Sequence, residues 1–439
     1  MQGTARFSTL ALAGALAMAA PAFAAAPPPQ FVQFSPSATK GALYRPDPAN
    51  FPSPHVGVIA MHRNSNYMSH ISTKELPARG FVVLGMNPRC DNNEAACAPW
   101  ENNALDVKSG VNYLRSQGMT KVVLLGHSGG GPTMSFYQAV AEQGVAFCQQ
   151  PGKLMKCSNA LAGLPKADGI ILMDAHPGNG INAVRSLSAN VTNDPAVVNQ
   201  NRAPSTNRNL DPFDARNGYR DGGLTRYSDS FKRRYFETQS DRMNYLISEA
   251  LSRLAEIDAT GAGDAPFIVP LADNARLGQI DLSIHHSTLL PRKLVKNDAS
   301  IESRFPVESV RVQSLSPGDE QGFGSTMFLT VKSFLSVRAV RSSDSMDGID
   351  WCSSNNSTPC NLQHMTVPLL VTAMGGHYFI RDAEQYFDMA ASPDKDYYVI
   401  EGATHGGTEC TACETTPGQY SNATKNLFDL MQRWINARF

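Results

Sequence analysis

A glycine-rich turn between an apolar strand and a helix constrains this chain more than any other segment. The run Lys121–Leu125 (KVVLL) is apolar, and Gly126–Gly130 (GHSGG) follows it directly. From Pro132 to about Phe147 the chain can be helical. A turn this rich in glycine can be tight enough to leave Ser128 exposed at its apex. The segment therefore predicts a sheet strand that ends in a sharp turn and continues as a packed helix.

Short apolar runs recur along the chain and alternate with segments that carry apolar residues at helical spacing. This alternation predicts an α/β fold: a mostly parallel sheet with helices on both faces. The predicted strands are Val56–Met61, Phe81–Met86, Lys121–Leu125, Ile170–Met173, Val367–Thr372 and Tyr397–Ile400. Helices are expected over Ala104–Leu114, Pro132–Phe147 and Asp382–Met389, and at the C-terminus.

The alternation stops between Ala175 and about Met365, which predicts a large insertion. We expect a signal peptide at residues 1–24, a first part of the core at 25–175, a cap or lid region at 176–365, and a second part of the core at 366–439. The cap contains one amphipathic helix, which we expect to pack against a core. Its apolar face carries Met243, Leu246, Ile247, Ala250, Leu251 and Leu254.

The N-terminus predicts export. Arg6 precedes an apolar stretch that ends in the small-residue pattern Ala22-Phe23-Ala24, which is typical of a cleavable signal peptide. No later segment approaches the roughly 20 apolar residues that a membrane-spanning helix needs. We therefore expect a secreted or periplasmic protein without a membrane span.

The eight cysteines fall into four pairs that are close in sequence. In an exported protein such pairs predict local disulfides that hold loops, although proximity alone leaves other pairings open. The pairs are Cys90 with Cys97, Cys148 with Cys157, Cys352 with Cys360, and Cys410 with Cys413.

Charge and ligand spacing argue against two classes of partner. The formal net charge is −1 at pH 7, which makes nucleic acid an unfavourable partner. No histidine or cysteine cluster has zinc-like spacing, and Cys410-Thr-Ala-Cys413 alone is a weak metal motif. We expect neither a metal nor an organic cofactor, and the oligomeric state is left open.

A serine hydroxyl is a weak nucleophile, so Ser128 needs a base from elsewhere in the chain. His405 is the candidate, because it lies in Glu401–Gly406 (EGATHG), directly after the last predicted strand. His127, His285, His286 and His377 have weaker claims. The GHSGG turn, the late strand and the Gly-x-x-His-Gly turn before a final helix resemble the α/β-hydrolase superfamily, over about residues 50–175 and 366–439.

The resemblance implies a triad in the order serine, acid, histidine. The acid usually follows the strand that here is Leu369–Thr372, but the next carboxylate is Asp382, which can equally be a helix N-cap. Some members place the acid after the strand that follows the elbow helix, and Asp174 occupies that place. We favour Asp174 and keep Asp382 as the alternative.

The resemblance also implies an oxyanion hole built from backbone N–H groups. The N–H of Gly129, at the start of the elbow helix, is the expected first donor. The second should follow the first core strand, where the sequence reads His62-Arg63-Asn64 and Asn64 is the closest match. Arg63 stands where the family usually has glycine. We interpret it as a solvated loop arginine, with a substrate carboxylate as its alternative partner.

These residues predict a serine hydrolase that cleaves a carboxylic ester or a lactone through an acyl-enzyme on Ser128. The substrate would be a small-molecule or polymeric ester. Hydrolysis of a carbon–carbon bond in a β-diketone, or of an amide, is the alternative because the same residues serve all three reactions. A non-catalytic binding protein on the same fold is a further alternative. It is disfavoured because a binding protein has no need to keep both Ser128 and His405.

Overall fold

The computed structural model describes residues 27–35, 37–194, 205–319 and 325–439. The predicted signal peptide, at residues 1–24, lies outside these ranges. Among the helices in the described ranges, none is both long enough and apolar enough to cross a bilayer.

The described chain contains fourteen strands in three sheets. They are β1 (Gln30–Gln33), β2 (Lys40–Tyr44), β3 (Val56–Met61), β4 (Val82–Asn87), β5 (Lys121–His127), β6 (Gly169–Met173), β7 (Val191–Asn193), β8 (Ser205–Thr206), β9 (Pro266–Val269), β10 (Arg292–Val295), β11 (Ile301–Arg304), β12 (Met327–Thr330), β13 (Leu369–Met374) and β14 (Lys395–Ile400).

The main sheet has ten strands in the order β1-β2-β4-β3-β5-β6-β13-β14-β10-β11. The strands from β4 to β10 in this order run parallel, whereas β1, β2 and β11 pair antiparallel. The helices are α1 (Ser72–Glu75), α2 (Asn103–Ser116), α3 (Gly130–Gln143), α4 (Asn179–Ser186), α5 (Asp229–Thr260), α6 (Val331–Ser333), α7 (Thr358–Leu362), α8 (Ile380–Met389) and α9 (Ala423–Asn436).

The central strands are apolar on both faces because helices cover both. Successive strand residues point to opposite sides of the sheet, so Leu124 belongs to the apolar cluster that includes residues of α2, α3, α7 and α8, while Val123 and Leu125 belong to the cluster that includes α9. The predicted fold class is confirmed: a mostly parallel sheet with helices on both faces, in the arrangement of the α/β-hydrolase fold.

The region predicted as a cap forms a second core around α5. The apolar face of this helix packs against α4 and against the small β9–β12 sheet. Met243, Leu246, Ile247 and Ala250 are buried, and Leu251 and Leu254 are partly buried in the same cluster. The amphipathic face is therefore a packing surface, as the sequence predicted.

One part of the predicted cap region belongs to the main sheet instead. Strand β10 pairs parallel with β14, with Lys293 opposite Tyr398, and β11 folds back on β10 as an antiparallel edge. The inserted segment therefore extends the main sheet by two strands as well as building a second core.

The four local disulfides are confirmed. Each closes a short loop, with Cα–Cα distances of 5.0, 5.6, 5.3 and 5.2 Å in chain order. No cysteine in the described ranges is free.

The packing role of α5 can be tested with two neighbouring residues. Leu246 is 0% exposed and Tyr245 is 42% exposed. Leu246→Ala should lower the free energy of unfolding by about 2–5 kcal/mol through lost contacts and a cavity. Tyr245→Ala should change it by no more than about 0.5 kcal/mol. Urea unfolding followed by fluorescence measures both, and equal effects would contradict the packing role.

Candidate functional site

Ser128 lies in the turn between β5 and α3. Its backbone φ is +56°, a left-handed conformation that is strained for a residue with a side chain and typical of a nucleophile elbow. The turn also approaches β3 closely, because a Cβ atom on Gly130 would lie 2.5 Å from the carbonyl oxygen of Met61. Only glycine fits there, so the sequence motif and the tight turn have the same physical cause.

The structure brings His405 and Asp174 to Ser128. Nε2 of His405 lies 2.9 Å from Oγ of Ser128, and its Nδ1 lies 2.6 Å from Oδ2 of Asp174. His405 is in the loop after β14, and Asp174 follows β6 directly. Burial alone would raise the pKa of Asp174, but the hydrogen bonds and charges of His377 and His405 outweigh it and hold that pKa below its usual range.

Asp382 lies elsewhere. It is in the first turn of α8, where Oδ1 lies 2.6 Å from Nη1 of Arg185 on α4. Both side chains are buried, so each charge depends on the other. Of the two acids that the sequence left open, Asp174 is the one beside His405.

His377 is a second histidine on the same carboxylate, which sequence reasoning missed. Its Nδ1 lies 2.7 Å from Oδ2 of Asp174, and its ring stacks on that of His405 with centroids 4.4 Å apart. Burial lowers the pKa of His377 to about 4. The one available signal was its place directly after β13, where the superfamily usually carries the acid.

Among the residues that the structure describes, Asp174, His377 and His405 are the group that could hold a metal, since their ligand atoms lie within 4.8 Å of one another. The two Nδ1 atoms lie 2.6 and 2.7 Å from Oδ2. Ligands bound at about 2.0–2.2 Å around zinc would stand further apart than that. The His405 contact is a hydrogen bond, and both separations are shorter than the spacing of two zinc ligands.

A chain of neutral histidines holds the His405 loop. Nε2 of His127 donates to the carbonyl oxygen of His405 at 2.8 Å, so its Nδ1 accepts from Nε2 of His70 at 3.0 Å. Nδ1 of His70 in turn accepts from the backbone N–H of Ser72. Burial lowers the pKa of both rings, which keeps them neutral and fixes the direction of each bond. His127 thus positions the loop that carries His405.

His176 is a further histidine beside Ser128, and its sequence context predicted no role for it. Its Nε2 lies 3.0 Å from Oγ of Ser128, and its Nδ1 lies 3.0 Å from Oδ1 of Asn179. The backbone N–H of His176 also donates to the carbonyl oxygen of Ser128. Nothing in the local pattern marked His176 except its position just after β6.

The predicted oxyanion donors lie in a crowded polar corner. The backbone N–H groups of Asn64 and Ser65 are directed at Nδ1 of His62, at 3.4 and 3.1 Å. Nδ1 therefore accepts, and the hydrogen of the neutral ring is on Nε2. A Cβ atom on Gly129 would lie 2.7 Å from that Nε2, which explains why the residue after Ser128 is glycine.

Arg63 is not the solvated loop residue that the sequence suggested. It is 9% exposed, and its Nη2 donates to Oε2 of Glu94 at 3.0 Å. Arg338 of the cap binds the same carboxylate. A Cβ atom on Gly129 would lie 2.6 Å from Nη1 of Arg63. The guanidinium is therefore buried, because the Glu94 carboxylate compensates its charge, and it faces the elbow.

No family profile and no curated protein matches this sequence. Solved structures do resemble the chain. DcsB bound to a substrate analogue is 12% identical with a TM-score of 0.43, covering 93% of this chain and 99% of that one. The siderophore hydrolase EstB from Aspergillus fumigatus is 10% identical with a TM-score of 0.43, covering 93% and 97%. A monoglyceride lipase variant from Saccharomyces cerevisiae is 11% identical with a TM-score of 0.40, covering 94% and 96%. Similarity this low bears on neither substrate nor chemistry.

The buried histidines predict how stability depends on pH. The pKa values of His70 and His377 are lowered to about 4 from an ordinary value of 6.5. Between these pH values the unfolded chain binds the protons that the folded protein excludes, so stability falls as pH falls from 6.5 to 4. Each such histidine contributes a slope of about 1.4 kcal/mol per pH unit.

The variant His70→Gln should reduce that slope by about 1.4 kcal/mol per pH unit. Lys74→Ala, at an exposed position of α1, keeps His70 and its contacts and should keep the slope. Urea unfolding at pH 5 and pH 7 measures both variants. An unchanged slope in His70→Gln would show that this histidine is not held neutral by burial.

Proposed function

We propose that this protein is an exported serine hydrolase that cleaves a carboxylic ester or lactone through an acyl-enzyme on Ser128. The observation that supports this most is the chain of contacts from Oγ of Ser128 to Nε2 of His405 and from Nδ1 of His405 to Asp174, at 2.9 and 2.6 Å. A nucleophile, a base and a carboxylate that orients the base are the parts that acyl transfer requires.

In the proposed acylation step, Ser128 attacks the carbonyl carbon while His405 takes the hydroxyl proton. The buried carboxylate of Asp174 fixes the proton on Nδ1 of His405 and stabilises the imidazolium that forms. When the tetrahedral intermediate collapses, the bond to the leaving oxygen breaks and His405 passes the proton to it. Water then releases the acid by the reverse sequence, so none of these steps calls for a metal or an organic cofactor.

The developing oxyanion would be held beside the elbow. Gly129 stands at the N-terminus of α3, where unpaired backbone N–H groups and the helix dipole favour negative charge. We propose Gly129 as the first donor; Asn64, the predicted second donor, directs its N–H at Nδ1 of His62 and would have to leave that contact to serve. The Nε2–H of His62 and the guanidinium of Arg63, both close to Gly129, add positive potential to the same corner.

Export is proposed from two independent features. The N-terminal residues have the pattern of a signal peptide, and all eight cysteines are paired in disulfides, which persist in oxidising compartments. We propose that the cap covers the C-terminal edge of the sheet, where open α/β sheets bind ligands, and so sets the substrate.

A substrate panel tests the chemistry. Short-chain, long-chain and aromatic esters, a lactone, an amide and a β-diketone are offered to the wild type and to Ser128→Ala. The wild type should hydrolyse at least one ester or lactone, and Ser128→Ala should lose about 10³-fold or more of that rate. Full activity in Ser128→Ala would overturn the mechanism. Preference for the amide or the diketone would replace the ester by one of the alternatives.

A second pair of variants separates the two buried acids. Asp174→Asn should lower kcat by about 10⁴-fold, because His405 loses the group that sets its tautomer. Asp382→Asn should instead lower stability by about 3–5 kcal/mol, because it leaves Arg185 buried without a counter-charge, and its folded fraction should keep the wild-type kcat. Activity and urea unfolding are measured on both. The assignment fails if Asp382→Asn is the inactive but stable variant.

A further inference from the structure

Two histidines face the hydroxyl of Ser128, and the mechanism above uses one. Nε2 of His405 lies 2.9 Å from Oγ, and Nε2 of His176 lies 3.0 Å from the same atom. What His176 can do depends on which of its nitrogen atoms carries the hydrogen.

Backbone geometry decides that tautomer. The backbone N–H of Asn179 lies 2.8 Å from the side chain of Asn356, and an N–H only donates, so Asn356 presents its Oδ1. The amide of Asn179 approaches the same Oδ1 at 2.8 Å and must donate through Nδ2. Its Oδ1 therefore faces His176 and accepts a hydrogen from Nδ1.

With the hydrogen on Nδ1, neutral His176 presents a bare lone pair at Nε2. Burial and the nearby Arg63 hold the pKa of His176 well below its ordinary value, so the ring stays neutral. Its position is also fixed, because its backbone N–H donates to Ser128 and its carbonyl oxygen accepts from the hydroxyl of Thr358 at 2.6 Å. Asp174 imposes the same tautomer on His405.

Two lone pairs thus compete for one hydroxyl hydrogen in the free protein. In the acyl-enzyme Oγ carries no hydrogen, and both lone pairs are open. Water has two O–H bonds, whereas an alcohol has one. Because both nitrogen atoms lie about 3 Å from Oγ, a water molecule beside the acyl carbon can donate one hydrogen to each.

We propose that His176 is a second catalytic residue, which binds the second hydrogen of the hydrolytic water during deacylation and so favours water over alcohols as the acyl acceptor. The inference rests on the serine hydrolase function proposed above. Asn179 orients His176 as Asp174 orients His405, with a neutral amide in place of the carboxylate.

The water oxygen attacks the acyl carbon, one of its O–H bonds breaks, and that proton goes to Nε2 of His405 while the carbonyl electron pair moves onto oxygen. The other hydrogen stays covalently bound to the attacking oxygen and forms a hydrogen bond to Nε2 of His176. The carbonyl then re-forms, the carbon–Oγ bond breaks, Oγ takes the proton from His405, and the carboxylic acid leaves.

The test separates acylation from deacylation with a p-nitrophenyl ester. In stopped flow, the burst of nitrophenolate reports acylation and the steady rate reports deacylation. His176→Leu should slow deacylation about tenfold, the effect of losing one hydrogen bond in the transition state, and should slow acylation much less. Asn179→Leu should also slow deacylation more than acylation, because it removes the oxygen that keeps the hydrogen on Nδ1 of His176. His176→Gln offers an amide oxygen as acceptor and should recover part of the loss.

Added methanol gives a second readout that a structural role would not move. The ratio of methyl ester to free acid should rise about tenfold in His176→Leu and less in His176→Gln. Equal losses in acylation and deacylation, or an unchanged product ratio, would overturn the role of His176. Ser128→Ala, run in parallel, tests the proposed function itself. If the burst depends on Ser128 but the ratio of methyl ester to free acid is unchanged in the His176 variants, the serine hydrolase function stands and only the role of His176 is rejected. The melting temperature of each variant verifies folding.

Discussion

The buried carboxylate of Asp174 is the group on which the arrangement at the edge of the sheet depends. It is 0% exposed, and an unpaired charge at such depth would cost several kcal/mol. Oδ1 accepts from the backbone N–H of Met374 on β13, and Oδ2 lies beside His377 and His405. One charge therefore ties together the ends of β6, β13 and β14, and the strand order β6-β13-β14 makes its partners neighbours.

Because the surrounding histidines are neutral, each hydrogen bond that they make has a defined donor and acceptor. Burial disfavours the imidazolium, so each ring has one donor and one acceptor, and a bond to a backbone group decides which is which. The carbonyl oxygen of His405 makes His127 a donor toward that loop, whereas the backbone N–H of Asn179, acting through Asn356, makes His176 an acceptor toward Ser128. The same physical rule thus produces a positioning contact on one side of Ser128 and an open lone pair on the other.

The sequence predicted those parts that local pattern determines. Continuous apolar runs identified the buried parallel strands, although β13 begins two residues later than the predicted start at Val367. The edge strand β11 was missed because all four of its residues are exposed, so it has no alternating pattern. The adjacency of Ser128 and His405 followed from motif and chain order. His176 and His377 could not be found that way, because only the pairing of neighbouring strands brings them to Ser128 and Asp174.

The contacts between cap and core also bear on how a substrate reaches Ser128. Helix α4 of the cap is held by the buried pair of Arg185 and Asp382, and Arg338 is bound to Glu94 in the loop after β4. These ion pairs join the cap to the core on this side of the site, and loss of one partner of the buried pair would leave an uncompensated charge. The side chain of His405 is 34% exposed, which leaves its loop as the accessible side of the site.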